Sequence, residues 1–191
     1  MEARKVQFKV FVESPAEVDV DPIVPVFHRW IREKVLDELL VDVTDYAHVP
    51  NGPALLLVGH GSDYCLDFGE GRAGLLYSRK REAPKDAREC VTDALRRALL
   101  AAKKLEEETS LPKRLRFRVD ELLFRVNDRL LGPNTDETMA AVEPVLRDVL
   151  GKVYAGTAFT LARVGTPREL FTVRVTAPGA AGVSSLLQRL L

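Results

Sequence analysis

The residues best suited to chemistry fall together in HVPNGPALLLVGHGSDYCLDFGEGRAGLLYSRKRE, residues 48–82. His60 stands between Gly59 and Gly61, with Ser62 next. Flanking glycines let a backbone turn sharply and leave the imidazole accessible. An imidazole titrates near neutrality, so it can ligate a metal or shuttle protons. Asp63 lies three residues on and can orient it, giving a catalytic pair of His60 and Asp63. Asp67 lies four residues beyond Asp63, on the same face if the segment is a strand. His48 sits across the NGP turn at 51–53, and Asp42 and Asp45 end the segment before it. If these ends converge, His48, His60 and Asp67 form a candidate metal set. Their spacing is not that of HExxH or another specific metal motif. The alternative is a hydrogen-bonded loop histidine beside solvated aspartates.

A second chemistry is anion binding. Gly59, Gly61 and Ser62 can offer N–H and O–H groups to a small anion, and Arg79 follows the next apolar run. Gly69, Gly71 and Gly74 spell G-x-G-x-x-G, but no helix follows, so the dinucleotide reading fails on context. Asp67-Phe68-Gly69 imitates a kinase DFG without a catalytic-loop HRD. A tight hairpin accounts for these glycines, and a phosphate resting on the turn is the alternative. Arg114, Arg116 and Arg118 alternate with Leu115, Phe117 and Val119, which predicts a basic strand face able to hold phosphate oxygens or RNA. Phe8 and Phe117 fall on the apolar phase, so stacking platforms are not offered to bases. Cross-strand pairing of these arginines with acids is the plainer expectation. Cys65 and Cys90 read as small buried hydrophobes.

The nine residues ALLLVGHGS, 54–62, locally resemble the strand and first loop of the small sirohydrochlorin and cobalt chelatases. The resemblance implies that His60 would place the metal or accept pyrrole protons. In that family the motif opens the chain and leads into a helix. Here it lies mid-chain and leads into YCLDF, which reads as a strand, so chelatase chemistry is not adopted.

Elements must position these groups. VQFKVFV, 6–12, alternates, with Gln7 and Lys9 opposite Val6, Phe8, Val10 and Val12; this predicts a half-buried strand. Asp21 and Pro22 open a helix with Ile23, Val26, Phe27, Trp30 and Ile31 on one stripe, and His28 on its polar side. Strands are expected at 38–43, 54–58, 64–68 and 74–78, the last two forming a hairpin. A long helix starts at Pro84 and ends in KKLEEETS. Leu115, Phe117 and Val119 are out of phase with Leu122, Phe124 and Val126, so a turn or bulge is expected near Asp120. Asn134 and Glu137 have capping-box spacing before a helix that contains Pro144 and ends at Gly151. A hairpin joined by GTPR and a short final helix complete the chain.

These elements predict an α+β protein with an antiparallel or mixed sheet, helices on one face and a more polar opposite face. Strand, capped helix, strands and helix recur in the same order. Two ferredoxin-like units side by side, 1–110 with an extra hairpin and 111–191, fit that order, and one continuous domain is the alternative. The 191 residues carry 28 basic and 28 acidic side chains. Zero net charge makes nucleic acid an unlikely partner for the molecule as a whole and removes a repulsive brake on self-association. The amino-terminal MEARKVQF lacks a long apolar run, and no run of 18 apolar residues occurs, so a cytoplasmic protein without a membrane partner is expected. Three functions stay open at this point. The first is a non-catalytic protein acting through self-assembly, as a homo-oligomer, or through partner binding. The second is a small-molecule or metal-dependent enzyme around His60, His48, Asp63 and Asp67. The third is a binder of anions or RNA on the Arg114, Arg116 and Arg118 face. No cofactor is specified by these residues.

Overall fold

Strand β1, Val6–Val12, is buried at every position, including Gln7 and Lys9. The computed structural model that shows this describes residues 5–14, 18–46, 49, 53–81, 84 and 86–191. Full burial corrects the half-buried expectation, and topology supplies the reason. β1 lies between two antiparallel partners, β5 (Gly74–Arg79) and β6 (Phe117–Val126). Outward from β5 run β4 (Ser62–Asp67), β3 (Pro53–Gly59) and β2 (Leu40–Asp45). Outward from β6 run β8 (Phe171–Thr176) and β7 (Thr160–Val164). The result is one eight-stranded antiparallel sheet in the order 2-3-4-5-1-6-8-7. The first strands of the two halves are thus hydrogen-bonded to each other, and the sheet runs unbroken across residue 110.

Helices cover one face. α2 (Ala87–Glu106) packs on β1 and β5, and α3 (Asp136–Val153) and α4 (Val183–Gln188) pack beside it. α1 (Ile23–Glu33) packs by β2. The buried stripes of all four helices join Val6, Phe8 and Val10 of β1, Leu75 and Tyr77 of β5, and Leu122, Phe124 and Val126 of β6 in one apolar cluster. Phe8 and Phe124 meet edge-on at its centre, 5.3 Å apart. Such burial is the main force holding an α+β layer together. Among the described residues no helix is long and apolar enough to cross a membrane.

Local differences from the expected elements have local causes. The Val20 carbonyl accepts from Ile23 N and Val24 N, so α1 starts without a side-chain cap and Asp21 is not used. α2 begins at Ala87, where Asp86 accepts from Glu89 N at 3.0 Å, not at Pro84. Asp86→Ala should cost about 1 kcal/mol, read as a shift of the urea midpoint at unchanged slope. The glutamates closing α2 serve as acceptors: Glu106 takes Phe117 N at 2.9 Å, and Glu108 takes Ser110 and Arg29. From Phe117 onward the two phases meet in a single strand, β6, with Leu115 just before it. Its pairing with β1 slips between Val10, opposite Leu122, and Val12, opposite Phe117, and this irregularity turns both apolar sets inward. α3 is capped by Thr135, because Asn134 is buried and donates instead to the Val164 and Thr166 carbonyls. α3 also runs through Gly151 to Val153.

Candidate functional site

The glycine-flanked imidazole sits on the turn between β3 and β4. His60 is exposed, and its N–H donates to the Leu39 carbonyl at 2.8 Å. Glu38 occupies the concave side of the turn, and beside it His60, Gly61, Ser62 and Arg79 line a small cleft of about 160 Å³. One carboxylate oxygen accepts from Gly61 N at 2.9 Å and Ser62 N at 2.6 Å. The other accepts from Ser62 Oγ at 2.5 Å and Tyr64 OH at 3.1 Å. A turn whose N–H groups converge is an anion nest, and here the chain supplies its own anion. The glycines make this fit: a Cβ on Gly61 would lie 3.2 Å from Glu38 Oε1, and one on Gly59 would lie 2.5 Å from the Ser62 carbonyl oxygen. Burial, then the Glu38 charge, push the Tyr64 phenol well above its usual range.

The aspartates of β4 serve other partners. Asp63 accepts from Lys80 Nζ at 2.7 Å, and the same ammonium reaches the Gly59 carbonyl at 2.8 Å. Asp67, at the far end of β4, takes Lys9 Nζ at 2.6 Å. Asp63 and Asp67 do share a strand face, yet each is held by its own lysine. His48 lies outside the described residues. Among the described residues, no group of three or more His, Cys, Asp or Glu is close enough to hold a metal ion. Cys65 lies buried between the two aspartates on that face, and burial, reinforced by Asp67, pushes its thiol up to about 12. Such a thiol is not a poised nucleophile.

Arg79 is buried beneath the same turn and bonds Asp93 of α2. Asp93 also takes Arg96 at 3.0 Å and Arg97 at 2.9 Å. Burial acts to raise the Asp93 pKa, but the hydrogen bonds from Arg96 and Arg97 and the Arg97 charge outweigh it and hold the carboxyl below its ordinary value. A carboxyl with a depressed folded pKa stabilises the fold above its unfolded pKa and loses that contribution as pH falls through the folded value. Asp93→Asn should therefore flatten the fall of the urea midpoint on acidification below about pH 4.

The arginine strand face also resolves differently. Arg114 and Arg116 are exposed and precede β6, which begins at Phe117. Arg118, inside it, forms a two-pronged bond to Asp120 at 2.8 and 2.7 Å. The three do not make one strand face, because only Arg118 lies within β6.

A different basic surface lies on the helix-free face of the sheet. Lys9 is its buried anchor, with no side-chain exposure, and donates to Asp67, to the Gly69 carbonyl at 2.8 Å and to Glu70 at 3.1 Å. The 3-10 turn Gly69–Gly71 thus presents a carbonyl to a cation, the reverse of cradling a phosphate. Gly74 is required beneath it, since a Cβ there would lie 2.9 Å from Lys9 Cε. Arg72 stacks over Phe11 at 3.8 Å and forks onto Glu121 at 2.8 and 3.1 Å. Together these groups close the face over β1, leaving open the part over β6 and β8.

That open part is a groove of about 770 Å³. Leu123 and Arg125 of β6 and Thr172 and Arg174 of β8 form its floor. Loops 127–133 and 165–170 form one rim, tied by the Arg129 bond to the Arg168 carbonyl at 3.1 Å and by a bridge between Pro133 and Leu170. Four arginines therefore line the groove: Arg125, Arg129, Arg168 and Arg174. The two acids among the described lining residues, Glu70 and Glu169, are engaged. Glu70 binds Lys9 and Arg125, and its carboxyl stays below its usual range because their charges outweigh the effect of burial. Glu169 caps Thr166 N at 2.5 Å. Arg174 is half exposed, with only a 3.3 Å approach to Glu121, itself already forked by Arg72.

The sequence matches no protein-family model, and no curated protein matches it.

Sequence reasoning missed Glu38 and this groove. Arg125, Arg129, Arg168 and Arg174 are separated by loops and strands, and only the pairing of β6 with β8 gathers them. One usable signal is Arg125, the charged residue that interrupts the apolar end of β6 between Phe124 and Val126.

Proposed function

We propose that the chain acts by binding, not by covalent chemistry, and that the groove over β6 and β8 takes an anionic partner. The observation that carries this reading is the ring of four arginines around one groove whose two carboxylates already serve internal bonds. Guanidinium groups match carboxylate and phosphate oxygens in two-pronged geometry. Zero net charge and a local cationic groove are compatible, because the field that guides an anion is local. Partner binding is better supported than pairing of sheet edges. Edge strand β2 carries a register irregularity between Leu40 and Asp42, and Asp42 caps Val43 N at 2.8 Å; both are devices that blunt an edge.

Fluorescence anisotropy with a labelled dodecamer of glutamate tests the reading. The wild-type protein should bind it with an affinity that falls steeply with salt. Arg168→Glu with Arg174→Glu should weaken binding by roughly tenfold or more, with a fall in stability of no more than about 1 kcal/mol from setting a carboxylate at position 174 against Glu121. Binding unchanged by that double reversal would remove the groove from the account.

A further inference from the structure

We infer that the partner is an acidic, leucine-bearing protein segment that engages the arginine groove and the Leu130–Leu131 turn together. The inference rests on the proposed anion-binding reading and adds the class of partner. Leu130 is 89% exposed and Leu131 50% exposed. Single exposed leucines need no explanation, but this pair is held outward by a built support. Asp128 Oδ1 accepts from Leu130 N and Leu131 N, both at 3.1 Å, and Gly132 N returns to the Asp128 carbonyl at 2.8 Å. Gly132 packs so closely that a Cβ there would lie 2.7 Å from Val126 Cγ1. Arg129, one residue before the pair, lines the groove and ties this turn to the Arg168 loop. The apolar tip and the cationic groove are therefore parts of one braced rim.

The shape and chemistry select among anions. Among the described residues no aromatic side chain or histidine lines the groove, so they supply no stacking platform of the kind on which single-stranded RNA bases rest. Arg125 lies on the strand floor with its side chain only 12% exposed. The flat headgroup plane of a bilayer does not reach such a recessed guanidinium, whereas carboxylates on a protruding peptide do. A leucine beside those carboxylates then meets Leu130 and Leu131 and leaves water with them.

The test uses the full chain and four probes: a labelled peptide of alternating Glu-Glu-Leu triplets, the same peptide with Leu replaced by Ser, inorganic tripolyphosphate, and vesicles of phosphatidylcholine with phosphatidylserine. The leucine peptide should bind about tenfold tighter than the serine peptide. Leu130→Ser with Leu131→Ser should erase that preference without changing serine-peptide affinity, and Arg168→Glu with Arg174→Glu should weaken both peptides. Equal binding of the two peptides to the wild type, or a preference that survives loss of both leucines, overturns the inference. Vesicle binding abolished by the leucine substitutions, with no peptide preference, overturns it in favour of a membrane surface. Failure of the underlying reading shows separately, as no salt-sensitive binding of either peptide or of tripolyphosphate.

Discussion

Lys9→Ala should destabilise the fold by about 3–5 kcal/mol, the largest effect expected of any single polar substitution here. Lys9 is wholly buried in β1, and its three N–H donors meet Asp67, the Gly69 carbonyl and Glu70. Removing the ammonium leaves Asp67, itself buried, as an uncompensated charge on the inner part of the face. It also frees the turn Gly69–Gly71 that covers β1. Burying an ion pair gains little over burying apolar groups, but breaking one is expensive. Lys9→Met combined with Asp67→Leu should therefore recover most of the loss, as measured by urea denaturation. Additive losses in the double variant would show that the two side chains act independently.

Glu38→Ala should cost about 2–4 kcal/mol. It strands four donors that converge on one carboxylate, from Gly61, Ser62 and Tyr64, and removes the anion that Arg97 approaches at 3.8 Å. Glu38→Gln should lie between the two, since an amide oxygen can keep the Gly61 and Ser62 N–H groups while the hydroxyls reorient. Amide exchange reports the same event locally: protection of Gly61 and Ser62 should fall far more in the alanine variant than protection in β1. Uniform loss across the sheet would mean that Glu38 supports the core and not the turn.

The elements were largely legible in the chain. Alternation placed β1, a continuous apolar run placed β3 and a hairpin pattern placed β4 and β5, and the apolar stripe of α2 is buried at Val91, Ala94, Leu95, Ala98, Ala102 and Leu105. The phase change near Asp120 appeared as a break in alternation before its structural form was visible. What the chain concealed were meetings at long range. Glu38 lies 24 positions before Ser62, and no periodicity links a residue preceding one strand to the turn two strands later. Lys9 reads as solvent-facing by alternation alone, because the turn that buries it arrives 60 positions later, at Gly69. For the same reason GHGS looked like an open site. Its glycines have the freedom a binding loop needs, but the ligand they enclose is the chain's own carboxylate. The arginine groove stayed hidden because its parts come from β6, β8 and two loops, and strand order is not written in local pattern.

Tripolyphosphate titration followed by NMR of backbone amides and arginine Nε–H groups tests the binding account most directly. The account predicts saturable, salt-sensitive shifts at Arg125, Arg129, Arg168 and Arg174 and in the amides of 164–174, with those of Gly61 and Ser62 unmoved. Shifts centred on the His60 turn, with the four guanidinium signals stationary, would contradict it.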